Sequence, residues 1–139
     1  MILRGNAMWA NVIEGNPNPL SEKYQVDIYN MSEEDIQKLN EAGISLRNDE
    51  DRGDFVTAKH DRAPQIFDAS KRAWGDTKIG NGSKIKVSVN PYDWTHKSKT
   101  GRSLGLNQLM VIEHIPYQNV DELEAEPAPF GETESDVEL

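Results

Sequence analysis

The chain of 139 residues has no cysteine, which removes disulfide scaffolds, thiolate zinc sites and cysteine nucleophiles together. Long apolar runs are missing as well. None approaches the roughly 20 residues that a membrane-spanning helix needs, and the short apolar start Met1-Ile2-Leu3 is broken at Arg4. Neither a transmembrane span nor a signal peptide is expected, and a reducing, intracellular compartment fits. A hydrophobic fraction of 36% allows one small domain with a modest core, and the length argues against two full domains.

Positive charge is absent from one end. From Asn119 to Leu139 there are eight acidic residues and no Lys or Arg. The net charge of -9 from 15 basic and 24 acidic residues therefore misdescribes the rest, where acids and bases nearly balance. Between Thr57 and Arg102 ten bases face four acids. A basic centre with a segregated acidic end points to a polyanion-binding body or an interaction tail. Beyond Tyr117 the composition turns to Glu, Pro, Ala, Asp and Ser, so residues 118–139 are expected to be a disordered tail on a folded domain of residues 1–117.

Within the body, apolar and polar residues alternate with the period of a half-buried strand. Tyr24 to Tyr29 is one such stretch, Ala7 to Ile13 a plausible partner, and Ser83 to Val89 the clearest, with Ile85, Val87 and Val89 on one face and Lys84, Lys86 and Ser88 on the other. Shorter strands are expected at Phe55-Val56 and Gln65-Ile66-Phe67. A long final strand is expected from Leu104 to Ile115, where the run Leu109 to Ile112 implies burial on both faces or a bulge. Ser32 followed by Glu33, Glu34 and Asp35, with Ile36 and Leu39 on one face and Gly43 as the stop, predicts a short peripheral helix. Asn48 to Gly53 reads as a mobile surface segment. About five strands and one helix describe a small β-barrel or sandwich.

The most informative window is Asn90 to Arg102, expected as a polar loop between two strands. It holds Tyr92 and Trp94, the bases Lys97, Lys99 and Arg102, and a Gly/Ser/Thr backbone. Single-stranded nucleic acid needs flat side chains on which bases stack and cations that follow the phosphates, and Lys84 and Lys86 continue the positive surface. The competing reading has Tyr92 and Trp94 cap the hydrophobic end of the barrel while the lysines are ordinary solvated charge. Lys71-Arg72-Ala73-Trp74-Gly75, a Trp beside two cations, offers a second platform in the same two readings, with a partly buried Trp74 as the alternative. Trp9 and Tyr24, on early strands, are expected in the core.

Catalytic and metal motifs are thin. Gly80-Asn81-Gly82-Ser83-Lys84 inverts the Lys-Ser/Thr order of a phosphate loop and precedes a strand, not a helix. The carboxylates of Asp49, Glu50, Asp51 and Asp54 lack the spacing of a calcium loop and read as an exposed acidic loop. His60, His96 and His114 have no zinc-ligand spacing. No cofactor, no metal and no catalytic residue is expected. Two other classes are weighed beside nucleic-acid binding. One is a β-barrel protein-interaction module of a replisome or virion whose acidic tail is its working part, and a distant one is a metal-dependent nuclease.

Gly82-Ser83-Lys84-Ile85-Lys86-Val87, then Pro91-Tyr92-Asp93-Trp94, then Gly105 to Glu113, with an acidic C-terminal tail, resemble the single-stranded DNA-binding proteins of T7-like phages and their marine relatives. Ala7-Met8-Trp9-Ala10 and Tyr24 to Ile28 are similar to the first strands of that family. The resemblance implies a mainly β, five-stranded OB-fold barrel with no catalysis, acting in phage DNA replication, recombination and repair in the cytoplasm of the infected host cell. It implies Tyr92 as a stacking residue with Trp94 beside it. It also implies a tail that contacts the phage DNA polymerase and the primase-helicase, competes with DNA for the groove, and supports a homodimer. The family's tail ends in an aromatic residue, whereas this chain ends Asp136-Val137-Glu138-Leu139, so Phe130 or Leu139 takes the anchoring role beside Asp136 and Glu138.

Overall fold

The computed structural model describes residues 1–117; the acidic segment, with Phe130, Asp136, Glu138 and Leu139, lies outside them. The described residues form β1 (Ile2–Asn11), β2 (Tyr24–Tyr29), α1 (Glu33–Glu41), β3 (Arg47–Asp49), β4 (Gly53–His60), β5 (Gln65–Asp68), β6 (Lys84–His96) and β7 (Lys99–Glu113). The strand order is β3-β4-β2-β1-β6-β7-β5, and β4 also pairs with β7. That last pairing is parallel and joins Ala58 to Leu104 and Lys59 to Gly105. It closes β1, β2, β4, β7 and β6 into a five-stranded OB barrel, leaving β3 and β5 at the margins.

β1 serves two neighbours. Its first half pairs with β6 from Ile2↔Ser88 to Asn6↔Lys84, and its second half with β2 from Asn6↔Tyr29 to Asn11↔Gln25, with a bulge between Met8 and Asn11. Alternation fills the interior: Leu3 and Ala7 from β1, Val26 and Ile28 from β2, Val56 and Ala58 from β4, and Ile85, Val87 and Val89 from β6 are all buried. On β7 the inward residues are Leu104 and Leu106, then Leu109 and Val111. The change of parity coincides with a register shift opposite Ser88 and Val89. This bulge, at Asn107, lets one strand keep its apolar side inward while it bends; the bulge expected within the run Leu109 to Ile112 is a second register shift, at Ile112 opposite Lys84 and Ile85.

The helix begins where its sequence predicts. Ser32 Oγ accepts from the Asp35 amide at 3.1 Å, and Gly43 follows the last turn with φ +78°. It is more than peripheral, since Leu39 is fully buried in the core. Asp35 Oδ2 also accepts from the Arg4 amide at 2.9 Å, meeting a β1 backbone group where β2 no longer runs alongside.

Two stretches differ from expectation. Asn48 to Gly53 is not a loose surface segment: β3 and β4 form a hairpin there. Arg52 is held by Asp27 at 2.9 Å and Asp49 at 3.4 Å, and its guanidinium lies 4.0 Å above the Phe55 ring. The polar composition hid this because its charges pair with one another over the outer surface of the barrel. Asn90 to Arg102 is likewise no loop. β6 and β7 run on as an antiparallel hairpin to His96↔Lys99, turning through Lys97 with φ +57°.

Candidate nucleic-acid interface

The extended hairpin has two faces. Tyr92 pairs with Ser103 and Trp94 with Gly101, which puts both aromatic side chains on one face two residues apart. Each ring covers a glycine of β7. A Cβ on Gly101 would overlap the Trp94 ring, and one on Gly105 would lie 3.7 Å from Cδ1 of Tyr92. Trp94 Nε1 donates to Ser103 Oγ at 3.0 Å. Both aromatics remain 38% exposed, so their outer faces are open to a ligand. Lys99 shares this face by alternation, and Lys97 sits at the tip; both are exposed.

Arg102 belongs to the other face. Its guanidinium donates to Asp93 Oδ1 at 2.7 Å and, through Nε, to the Ala42 carbonyl at the end of α1 at 2.6 Å. It ties the hairpin to the helix and does not stand beside the aromatics.

Where the hairpin meets the parallel seam, a groove of about 350 Å³ is lined by Tyr92, Gly105 and Asn107 on one side and by Lys23, Lys59 and His60 on the other. A second hollow shares His60 and Asn107 and adds Arg62. Lys23 donates to Asp61 at 2.9 Å. This hydrogen bond raises the Lys23 ammonium above its ordinary pKa and holds the Asp61 carboxyl below the usual carboxylate range. Lys23, Lys59, His60 and Arg62 escaped the sequence reading. Lys59 and Arg62 lie in the basic centre, but only the β4–β7 pairing brings Lys59 to Tyr92.

Other expected residues lie elsewhere. Lys84 and Lys86 line a groove of about 640 Å³ with Arg4 and Lys38, where Glu34 and Asp35 of α1 offset their charge, and Lys84 is 3.7 Å from Glu113. Lys86 lies six residue steps along β6 from Tyr92, about 20 Å. Trp74 packs against the core, donates to the Thr77 carbonyl at 2.8 Å and meets His114 edge to face at 5.0 Å. This is the partly buried arrangement, and it leaves Arg72 in the turn after β5, away from Tyr92. Tyr24 is half-buried with its hydroxyl accepting from the Gly15 amide at 2.9 Å. Trp9, expected in the core, is 61% exposed. Among the described residues no three His, Asp or Glu side chains gather as a metal site would require.

No family model matches the chain, and no curated protein sequence matches it. Solved structures do. The single-stranded DNA-binding protein from bacteriophage Enc34, in complex with ssDNA, superposes with a TM-score of 0.61 at 9% identity, covering 85% of this chain and 89% of that one. A second structure of the same phage protein gives 0.59 at 11% identity, over 86% and 85%. Bacteriophage T7 gp2.5, also a single-stranded DNA-binding protein, gives 0.57 at 18% identity, over 91% and 97%. The barrel, with its helix and long hairpin, thus has the fold of these phage single-stranded DNA-binding proteins.

Proposed function

We propose that this protein binds single-stranded DNA without sequence preference and without catalysis. The observation that carries the reading is the open pair of Tyr92 and Trp94, seated on glycines and adjoining the groove of Lys23, Lys59 and His60. Bases stack on the rings, each contributing about 1–3 kcal/mol, and the Lys59 ammonium follows the backbone. The likeness to phage proteins, one of them solved with ssDNA, supports the same assignment. Lys97 and Lys99 extend the positive surface at the hairpin tip.

In this reading the protein works in phage DNA replication, recombination and repair in the cytoplasm of the infected cell. Its acidic end recruits the DNA polymerase and primase-helicase, competes with DNA for the groove, and supports a homodimer. A tethered polyanion has a high effective concentration near the cations, and an incoming strand frees it for partners. Phe130, Asp136, Glu138 and Leu139 are its proposed contact residues.

The test is a fluorescence-anisotropy titration of a labelled single strand of ~30 nucleotides and its duplex, long enough for more than one OB barrel. It uses two salt concentrations, the full chain and a version ending at Tyr117. Preference for the single strand, sharpened by truncation at low salt, is the expected result. No binding by either version sends the search to protein partners, and equal affinity of the two versions across salt removes the competition by the acidic end.

A further inference from the structure

Trp9 occupies a backbone position that suits glycine. Met8 pairs with Asp27 and Asn11 with Gln25, so Trp9 and Ala10 together stand opposite Val26, two residues against one. The first residue of such a bulge is commonly a left-handed glycine, and Trp9 has φ +53°. A large side chain in that region is strained, and burial does not compensate, because Trp9 is 61% exposed, more than Tyr92 or Trp94. The bulge is nevertheless held firmly. The Trp9 amide donates to Asn81 Oδ1 at 2.8 Å, and Gly82 N donates to the Ala7 carbonyl at 2.7 Å. The fold fixes a strained, solvent-facing indole from which it gains little. Such positions concentrate at ligand sites.

The barrel also connects Trp9 with the hairpin. Asn90 pairs with Gly105, Gly105 with Lys59, Lys59 with Gln25, and Gln25 with Asn11. These four steps of about 4.8 Å give a surface arc of roughly 19 Å from the foot of the aromatic hairpin to the strand that carries Trp9. Lys59 stands midway along it. We infer that Trp9 is a third base-stacking platform, at the far end of an oligonucleotide path that starts on Tyr92 and Trp94 and crosses Lys59. This extends the single-stranded DNA reading and rests on it.

The test compares the full-length protein with Trp9→Gly and Trp9→Phe on labelled dT oligomers of about 5 and about 15 nucleotides, near the limits of what one OB barrel covers. Trp9→Gly is expected to weaken the longer oligomer roughly 5- to 150-fold, the loss of one stacked base. It leaves the shorter one and the salt dependence unchanged, and Trp9→Phe keeps most of the affinity. The Tm of Trp9→Gly stays level or rises, since glycine relieves the left-handed backbone. Equal affinity of Trp9→Gly and the parent for the longer oligomer overturns the role of Trp9 while leaving the DNA reading intact. A fall in Tm with equal weakening on both oligomers assigns Trp9 to the fold and overturns it as well. Failure of the parent protein to bind either oligomer overturns the underlying reading, and the inference with it.

Discussion

The indole of Trp94 lies on the backbone of Gly101, its partner across the β6–β7 hairpin, with no room for a Cβ between them. The glycine makes the aromatic surface: any side chain there lifts the ring off the strand and strains its bond to Ser103.

Gly101→Ala should therefore weaken oligo-dT binding although every aromatic residue is retained. The loss is expected to approach that of Trp94→Ala, about 1–3 kcal/mol for one stacked base. Fluorescence quenching by oligo-dT checks it. Full quenching at unchanged affinity in Gly101→Ala would separate Trp94 from the site.

The Lys23–Asp61 pair holds back a charge that the proposed DNA ligand would draw on. Because the Asp61 pKa is depressed by the Lys23 hydrogen bond, the pair is complete above the ordinary carboxylate pKa and is lost only as the pH falls through the lowered value. Lys23 thus stays engaged at neutral pH. Asp61→Asn should release it, tightening single-strand binding at low salt by up to about fivefold, the scale of an exposed ion pair. One more neutralised phosphate steepens the log-log salt slope by about 0.7. A salt titration at neutral pH reads both.

Arg102 distinguishes positioning from phosphate contact. Its bonds run to Asp93 and the Ala42 carbonyl, so Arg102→Met should free the hairpin from α1 and weaken binding with the salt slope unchanged. Loss of a direct phosphate contact would instead reduce the slope by about 0.7.

Arg52 tests the outer surface of the barrel. Its side chain is 10% exposed and that of Asp27 12%, so removing one partner leaves a nearly buried charge behind. Asp27 keeps its hydrogen bond from Thr57, so Arg52→Met should cost about 1–3 kcal/mol, measured by urea denaturation, and adding Asp27→Asn should restore part of the loss.

The elements that could be read from the sequence are those whose signals are local. Alternation located Tyr24 to Tyr29 and Ile85 to Val89, Ser32 and Gly43 bounded the helix, and the apolar run in β7 announced a bulge. The window around Tyr92 was legible as chemistry, but Gly and Ser residues made a β-hairpin look like a loop. Relationships between distant segments stayed hidden. Nothing local joins Lys59 to Gly105 or Arg102 to Ala42, and the side of a strand occupied by Arg102 depends on a register that composition does not reveal. Trp9 followed an alternating pattern that the bulge at Met8 to Asn11 reverses.

The barrel is closed by two parallel residue pairs between positions as far apart as 58 and 104. The β1–β6 pairing joins segments still further apart but with five residue pairs, so the two-pair seam is the weakest join of the barrel. Closure is therefore expected late in folding and its opening early in unfolding. A DNA strand lying across Tyr92 and Lys59 would bridge that closure from outside, making the ligand a brake on the unfolding rate as well as a passenger.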